Sequence, residues 1–507
     1  MANINRLAGA AVCAALLVPP AAARAGDFVD TRLTFVFSDE DVLHGAGETI
    51  PSSPGARFGA GRSSTLFFDN YDTKYTGFET LSNLVLYKRD ESFFRNVVTE
   101  AALALNLLVA GPDDISFQDQ SSYVRLTWKP EGWSDDEGLS FTGFPISADR
   151  FRLGYSYRLS WAGNRIFPRA ADNERPNAGF KLQLTRRNFY VFAGAKGTLL
   201  LDDHTNELEA NYGGLVGGGW DITENLRWEV GGGLFQRGTN PYIEGENVTA
   251  GGVSTQVTWH VGMPIGTSVD FRLYKNDPEV YQRFFQPEVY PGGVSYTISA
   301  EATYLTQNLL DPDALASTVR QEAMAGDLQA KVKIDKTRIH MIASYRDLPY
   351  VLFNVPSLVP FQALSDEADS DPEFFVSAGI DHYIESLHLT PGFVAGVQMP
   401  ASVTTDLQLG ANAPSTLSGR RTVVIRDEGT REILPAGAEV EPIYSAKGTA
   451  RMDLSDSMAA AGELYYTYDP NRSTLAGNQG DFVGSQNVRI FNDPHQLGFN
   501  LLLQARF

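Results

Sequence analysis

Cysteine is almost missing from this chain. The only one in 507 residues, Cys13, falls in an N-terminal stretch that reads as a secretory leader. A mature chain would then hold no disulfide, no thiolate metal site and no cysteine nucleophile. Long apolar runs are missing as well. Beyond that leader no stretch approaches the ~18 consecutive apolar residues of a membrane-spanning helix. Base is short relative to acid, with 41 Lys and Arg against 61 Asp and Glu and a formal net charge of −20. Phosphate contacts need the opposite balance, which excludes nucleic acid as a partner. Signatures of catalysis are lacking too: there is no G-x-S-x-G, and no Ser/His/acid set can be placed together, so no enzyme is expected. The glycine triplets 217–219 and 231–233 lie within strand patterns and are not phosphate loops; close strand approach or curvature is the better use for them. Seven histidines (44, 204, 260, 340, 382, 388 and 495) are scattered. The acidic clusters at 39–41, 135–137 and 366–371 lack the spacing of an EF-hand. No metal and no cofactor is expected.

The leader itself has Arg6, an apolar stretch over 7–18 and Ala23-Arg24-Ala25 before Gly26, the order of a cleavable signal peptide. Residues 1–25 are read as removed and 26–507 as one domain. Losing Arg6 and Arg24 leaves 39 bases against 61 acids, a net charge of −22.

What fills the chain is alternation with a period of two, the mark of strands with one apolar and one polar face. Mean hydropathy, −0.19, hides this because alternation cancels in an average. Clear cases are 180–184, 226–230, 253–261, 294–302 and 328–334, together with 28–38, 83–87, 101–109, 123–128 and 269–273. The stretch 150–161 looks cleanest of all: Phe151, Leu153, Tyr155, Tyr157, Leu159 and Trp161 oppose Arg150, Arg152 and Arg158. Short turns at 186–188, 221–224, 263–265, 335–337, 383–385 and 455–457 alternate with long polar connections such as 162–177, 238–247, 276–291, 401–441 and 470–493. The parity of the turns slips between 275 and 325, so a raw count of nineteen strands contains one error.

The last thirteen residues carry the pattern to the end. Leu497, Phe499, Leu501, Leu503, Ala505 and Phe507 share one face; Gln496, Gly498, Asn500, Gln504 and Arg506 share the other, with Leu502 the apolar exception. This segment resembles the closing strand of Gram-negative outer-membrane β-barrel proteins, whose terminal aromatic belongs to the assembly signal. Phe499, Leu501, Leu503 and Phe507 would form that signal. The resemblance implies an all-β chain forming a single transmembrane antiparallel barrel in the outer membrane. It also implies short periplasmic turns, long extracellular loops and the barrel assembly machinery as a partner, with the bilayer and its outer-leaflet lipids around it.

An even strand number is the rule for such barrels, so about eighteen strands are expected, with sixteen and twenty open. The terminal strand should pair with the first. With the apolar sets turned to lipid, Arg125, Arg152, Arg158, Lys181, Arg227, Glu229, His260, Asp270, Arg272, Glu301, Lys331 and Lys333 are expected to line the lumen. They would either tune a hydrated conduit or hold a closed interior together by salt bridges. Three segments break the pattern. A short helix is expected over 313–325, after Asp311-Pro312, and a small hairpin over 421–434. The apolar, proline-interrupted stretch 349–361 cannot be a central strand; Tyr350, Phe353, Leu358 and Phe361 could fold inward as a constriction or gate, or pack on the rim. The function expected is passage of polar solutes, or of an exported surface polymer, which would need periplasmic export components. A structural or adhesion barrel acting through its loops and a soluble periplasmic β protein are the alternatives.

Overall fold

The computed structural model describes residues 28–44, 55–58, 82–111, 114–119, 121–154, 156, 158–167, 176–202, 204–262, 293–314, 317–353, 361–366, 368–406, 420–425, 431–475 and 489–506. The leader, Tyr155, Tyr157, Asp270, Arg272, Leu358 and Phe507 lie outside them, as does the strand expected at 269–273.

The described residues form almost only strand. One antiparallel sheet holds twenty strands. In chain order its elements are β1 (Phe28–Asp39), β2 (Gly55–Phe58), β3 (Ser82–Phe94), β4 (Val97–Gly111), β5 (Asp114–Asp119), β6 (Tyr123–Trp128) and β7 (Gly138–Phe144). Next come β8 (Ala178–Arg186), β9 (Phe189–Leu201), β10 (Leu208–Thr223), β11 (Leu226–Thr239), β12 (Asn247–Val261), β13 (Val294–Leu310), β14 (Thr318–Ile334) and β15 (Thr337–Arg346). After the short β16 (Asp369–Asp371) come β17 (Glu373–His382) and β18 (Leu389–Met399), then β19 (Ala401–Asp406), β20 (Arg420–Ile425) and β21 (Arg431–Ile433). The chain finishes with β22 (Ile443–Ser455), β23 (Met458–Tyr468), β24 (Ser473–Leu475), β25 (Arg489–Phe491) and β26 (His495–Arg506).

Among the described residues, twenty-six strands therefore replace the roughly eighteen expected. The surplus is short. β16, β19, β20 and β21 make a separate four-stranded sheet, and β24 and β25 a two-stranded one. β2 and β5 belong to the large sheet but only flank it, β2 on the loop-side ends of β1 and β4 and β5 on that of β4. Sequence neighbours pair around the rest, from β1 through β3 and β4 to β23 and β26. β26 then pairs back onto β1, Arg32 opposite Arg506 and Asp39 opposite Phe499. With β2 and β5 set aside, eighteen of the twenty strands carry this circuit.

Two expectations about elements fail. The helix over 313–325 is instead the start of β14, which pairs with β13 from Leu310 opposite Thr318 onward. A full row of ladder hydrogen bonds outweighs a local N-cap signal. The described residues of 150–161 form no strand, for reasons given below. The hairpin near 421–434 is present as β20 and β21.

Side-chain placement inverts that of a water-soluble sheet. On β12, Val253, Val257 and Trp259 are exposed, while Ser254, Gln256 and Thr258 between them are buried. The same holds on β26, with Leu501 and Leu503 exposed and Asn500 and Gln504 buried. Aromatics on the exposed face gather at two levels. Trp128, Trp220, Trp228 and Trp259 sit at the end with the tight turns, Trp220 against Trp228 and Trp259 against Tyr296. Tyr345 with Phe374 and Tyr444 with Tyr468 mark the loop end. From Trp220 to Tyr212, eight residues along β10, is about 27 Å of strand, roughly 20 Å of height at a barrel's usual tilt and close to the ~25 Å apolar band of a membrane barrel. No helix among the described residues is long and apolar enough to cross a membrane.

Candidate functional site

Between β7 and β8 the chain turns into the circuit instead of leaving it. Phe151, Leu153, Leu159, Trp161, Ile166 and Phe167 are nearly fully buried and pack with Phe192, Leu215, Phe235 and Leu305 of the wall strands. A strand with one face in lipid cannot have both faces buried, which is why the alternation of 150–161 misleads. The segment folds back at Gly154, with φ of +91°, where an added Cβ would meet Ser160 Cα at 2.7 Å. Leu153 and Trp161 then exchange backbone hydrogen bonds at 3.1 and 2.9 Å. The wall makes room with glycines. A Cβ on Gly231 would strike Leu153 at 2.5 Å, and one on Gly194 would strike Phe151 at 2.7 Å. The triplet 231–233 thus serves close approach.

Apolar packing is not directional, so the position of this insert is set by polar contacts from the wall. Lys196 of β9 donates to the carbonyls of Ala148 (3.2 Å), Phe151 (3.0 Å) and Ala162. Glu301 of β13 accepts from Ser156 N–H at 2.8 Å. Trp161 Nε1 donates to Ser254 Oγ at 2.8 Å. Arg158 lies 2.8 Å from Glu373 and 4.0 Å over the Phe375 ring. Glu373 is also held by Arg346 at 2.8 Å and by Gln398 at 2.7 Å. Arg152, half-buried, lies on the insert too.

A second inward piece follows β15. Leu348–Phe353 is a one-turn-and-a-half helix, α1. Asp347 caps it, accepting from Tyr350 N–H at 2.8 Å, and its other oxygen accepts from Met324 N–H of β14 at 2.7 Å. Burial pushes the Asp347 carboxyl above its usual range, against the pull of those backbone donors. Tyr350 and Phe353 join the insert's apolar cluster, and the Tyr350 hydroxyl donates to Leu159 O. Leu348 and Val351 turn instead to β19 and β20. Phe361 is buried with Val248 and Leu309. Of the residues in 349–361 offered for a constriction, Tyr350, Phe353 and Phe361 are buried.

The remaining charged residues of the polar set lie on the face opposite the exposed apolar one. Arg125 pairs with Glu100 at 2.7 Å. Arg227 grips Asp221 at 2.6 and 2.8 Å. Glu229 accepts from Tyr190 hydroxyl at 2.6 Å. Lys181 and Lys333 are buried, Lys331 and His260 half-buried. Lys196, Arg237, Arg346 and Glu373 were absent from that set. The signal for Arg237 was available, since Glu229, Gly231, Gly233, Phe235 and Arg237 share one parity; the partners of Lys196 and Glu373 depend on the insert and leave no trace in spacing.

No family model matches the chain, and no curated protein matches it. Three solved structures illustrate the likeness found by shape. Pseudomonas aeruginosa OccK11 (OpdR) is 8% identical over 95% of this chain and 95% of that one, with a TM-score of 0.44. Acinetobacter baumannii OccAB1 is 7% identical over 95% and 96%, also at 0.44. The outer membrane protein OprD from Pseudomonas aeruginosa is 10% identical over 95% and 93%, at 0.40. The reading below rests on the chain's own geometry.

Proposed function

We propose that the chain is an outer-membrane β-barrel of eighteen strands enclosing a narrow, charge-lined path for small polar solutes. The observation that carries this is the inversion of the strands, apolar side out and ion-paired side in, with the insert folded into the enclosed space. A ring of this size leaves room for water; the insert and α1 reduce it. Such a narrowing favours single small solutes over a bulky polymer. The exposed apolar face and its two aromatic rows suit a bilayer, and the terminal strand suits the assembly machinery.

The test is reconstitution in planar bilayers after a check for a heat-dependent shift in gel mobility. Small, discrete unit currents are expected. A second reading has one observation in its favour: many enclosed side chains, Lys447 and Asn500 among them, are almost fully buried, as in a closed structural barrel. Folded protein that carries no current would decide for that reading, and a soluble protein with no mobility shift would refute both.

A further inference from the structure

We infer that Arg237, near the loop end of β11, is a positioning residue that ties the insert and α1 into one body. Its side chain is buried, yet no carboxylate among the described residues pairs with it. A buried charge left without an acid is costly, so its nitrogens need acceptors. Each of the three nitrogens has one, in three directions. Nε donates to Ile166 O of the insert at 3.1 Å. Nη2 donates to Phe353 O, the last residue of α1, at 3.0 Å. Nη1 donates to Gln307 Oε1 of β13 at 2.6 Å. The plane also lies 4.3 Å from the Phe353 ring centre and 5.8 Å from that of Phe361, within reach of a cation–π attraction.

A planar fork with five donors can satisfy three acceptors held at fixed angles, whereas an ammonium cannot hold them in one plane. Each inward segment has its own wall contacts, Lys196 for the insert and Asp347 for α1. Arg237 is bonded to both. The two halves of the narrowing should therefore loosen together when it is lost. This rests on the narrowing described above, but its test does not need current.

In a Cys13→Ser background, spin labels on Arg165→Cys of the insert and on Pro349→Cys of α1 are each measured against Asn188→Cys in the β8–β9 turn, using the full chain refolded in detergent. Both distance distributions should be narrow with Arg237 present, and both should broaden in Arg237→Met. Arg237→Lys, which keeps the charge but loses the fork, should broaden both to a lesser extent and carries the same test should Arg237→Met not fold. The heat-dependent mobility shift reports whether the barrel survives. Broadening of one label alone, or of neither, overturns the assignment. Absence of current with Arg237 intact would count against the channel and leave this result standing.

Discussion

Replacing Lys196 with Met keeps most of the length of the side chain and removes its donors. Ala148 O also accepts from Phe151 N–H at 3.0 Å, whereas the carbonyls of Phe151 and Ala162 turn to the lysine. Orphaning two buried carbonyls costs about 1–3 kcal/mol each. Relief of the lysine's own burial works the other way, so a net loss of roughly 2–3 kcal/mol in docking of the insert is expected, or about 30- to 150-fold in the population of the undocked form. The assay is thiol labelling at Ser156→Cys, again without Cys13. Ser156 is buried against Glu301 through its backbone N–H, a contact the substitution retains. When opening is fast, the labelling rate follows the open population. Labelling of Ser156→Cys should thus accelerate by that factor in Lys196→Met, with the mobility shift of the barrel unchanged. Equal rates with and without Lys196 would refute the claim that directional polar contacts hold the insert.

Three more outcomes follow from the same geometry. Leu328 is exposed at mid-height of β14, opposite Ala300; Leu328→Arg should cost ~2–4 kcal/mol if that face meets lipid, but only a few tenths if it meets water, read by urea unfolding in lipid vesicles. The raised Asp347 carboxyl binds its proton more readily folded than unfolded, so docking of α1 should weaken as pH rises from the ordinary carboxylate range through the raised value; a label at Pro349→Cys should show this, and Asp347→Asn should abolish it. Removing residues 348–361 takes away Tyr350, Phe353 and Phe361 from the packed interior, so unit conductance should rise, and an unchanged current would refute their part in the narrowing.

Strands were legible wherever one face is apolar and the other polar, because the two faces then write a period of two along the chain. β12, β13 and β26 are cases, and the partnership of the terminal strand with the first follows from closing the set. The stretch 150–161 shows the limit. Its aromatics alternate with arginines as a lipid-facing strand would, yet Phe151 and Trp161 pack on wall glycines while Arg158 reaches Glu373 across the interior. Periodicity reports that two sides differ, not what lies on either. The helix expected over 313–325 failed for the complementary reason: Asp311-Pro312 is a local signal, and the ladder with β13 is a long-range one.

The arrangement also explains why several of the directional contacts that hold the insert come from wall side chains. Among the wall residues that fix the insert, Lys196, Ser254 and Glu301 stand on strands whose neighbours hold their backbone on both sides. A polar group on such a strand points the same way whether or not the insert is docked, so little ordering is needed when contact forms. Arg158 is the insert's own ionic reach outward, and its partner Glu373 is already gripped by Arg346 and Gln398. A preset wall acting on a pliable segment predicts an asymmetry: neutralising Glu373 should disturb both β17 and the insert, whereas Arg158→Met should loosen the insert and leave the Arg346–Glu373 pair in place. Labels at Ser156→Cys and at the buried Ser377→Cys of β17 would separate the two, and equal acceleration at both sites in Arg158→Met would contradict a preset wall.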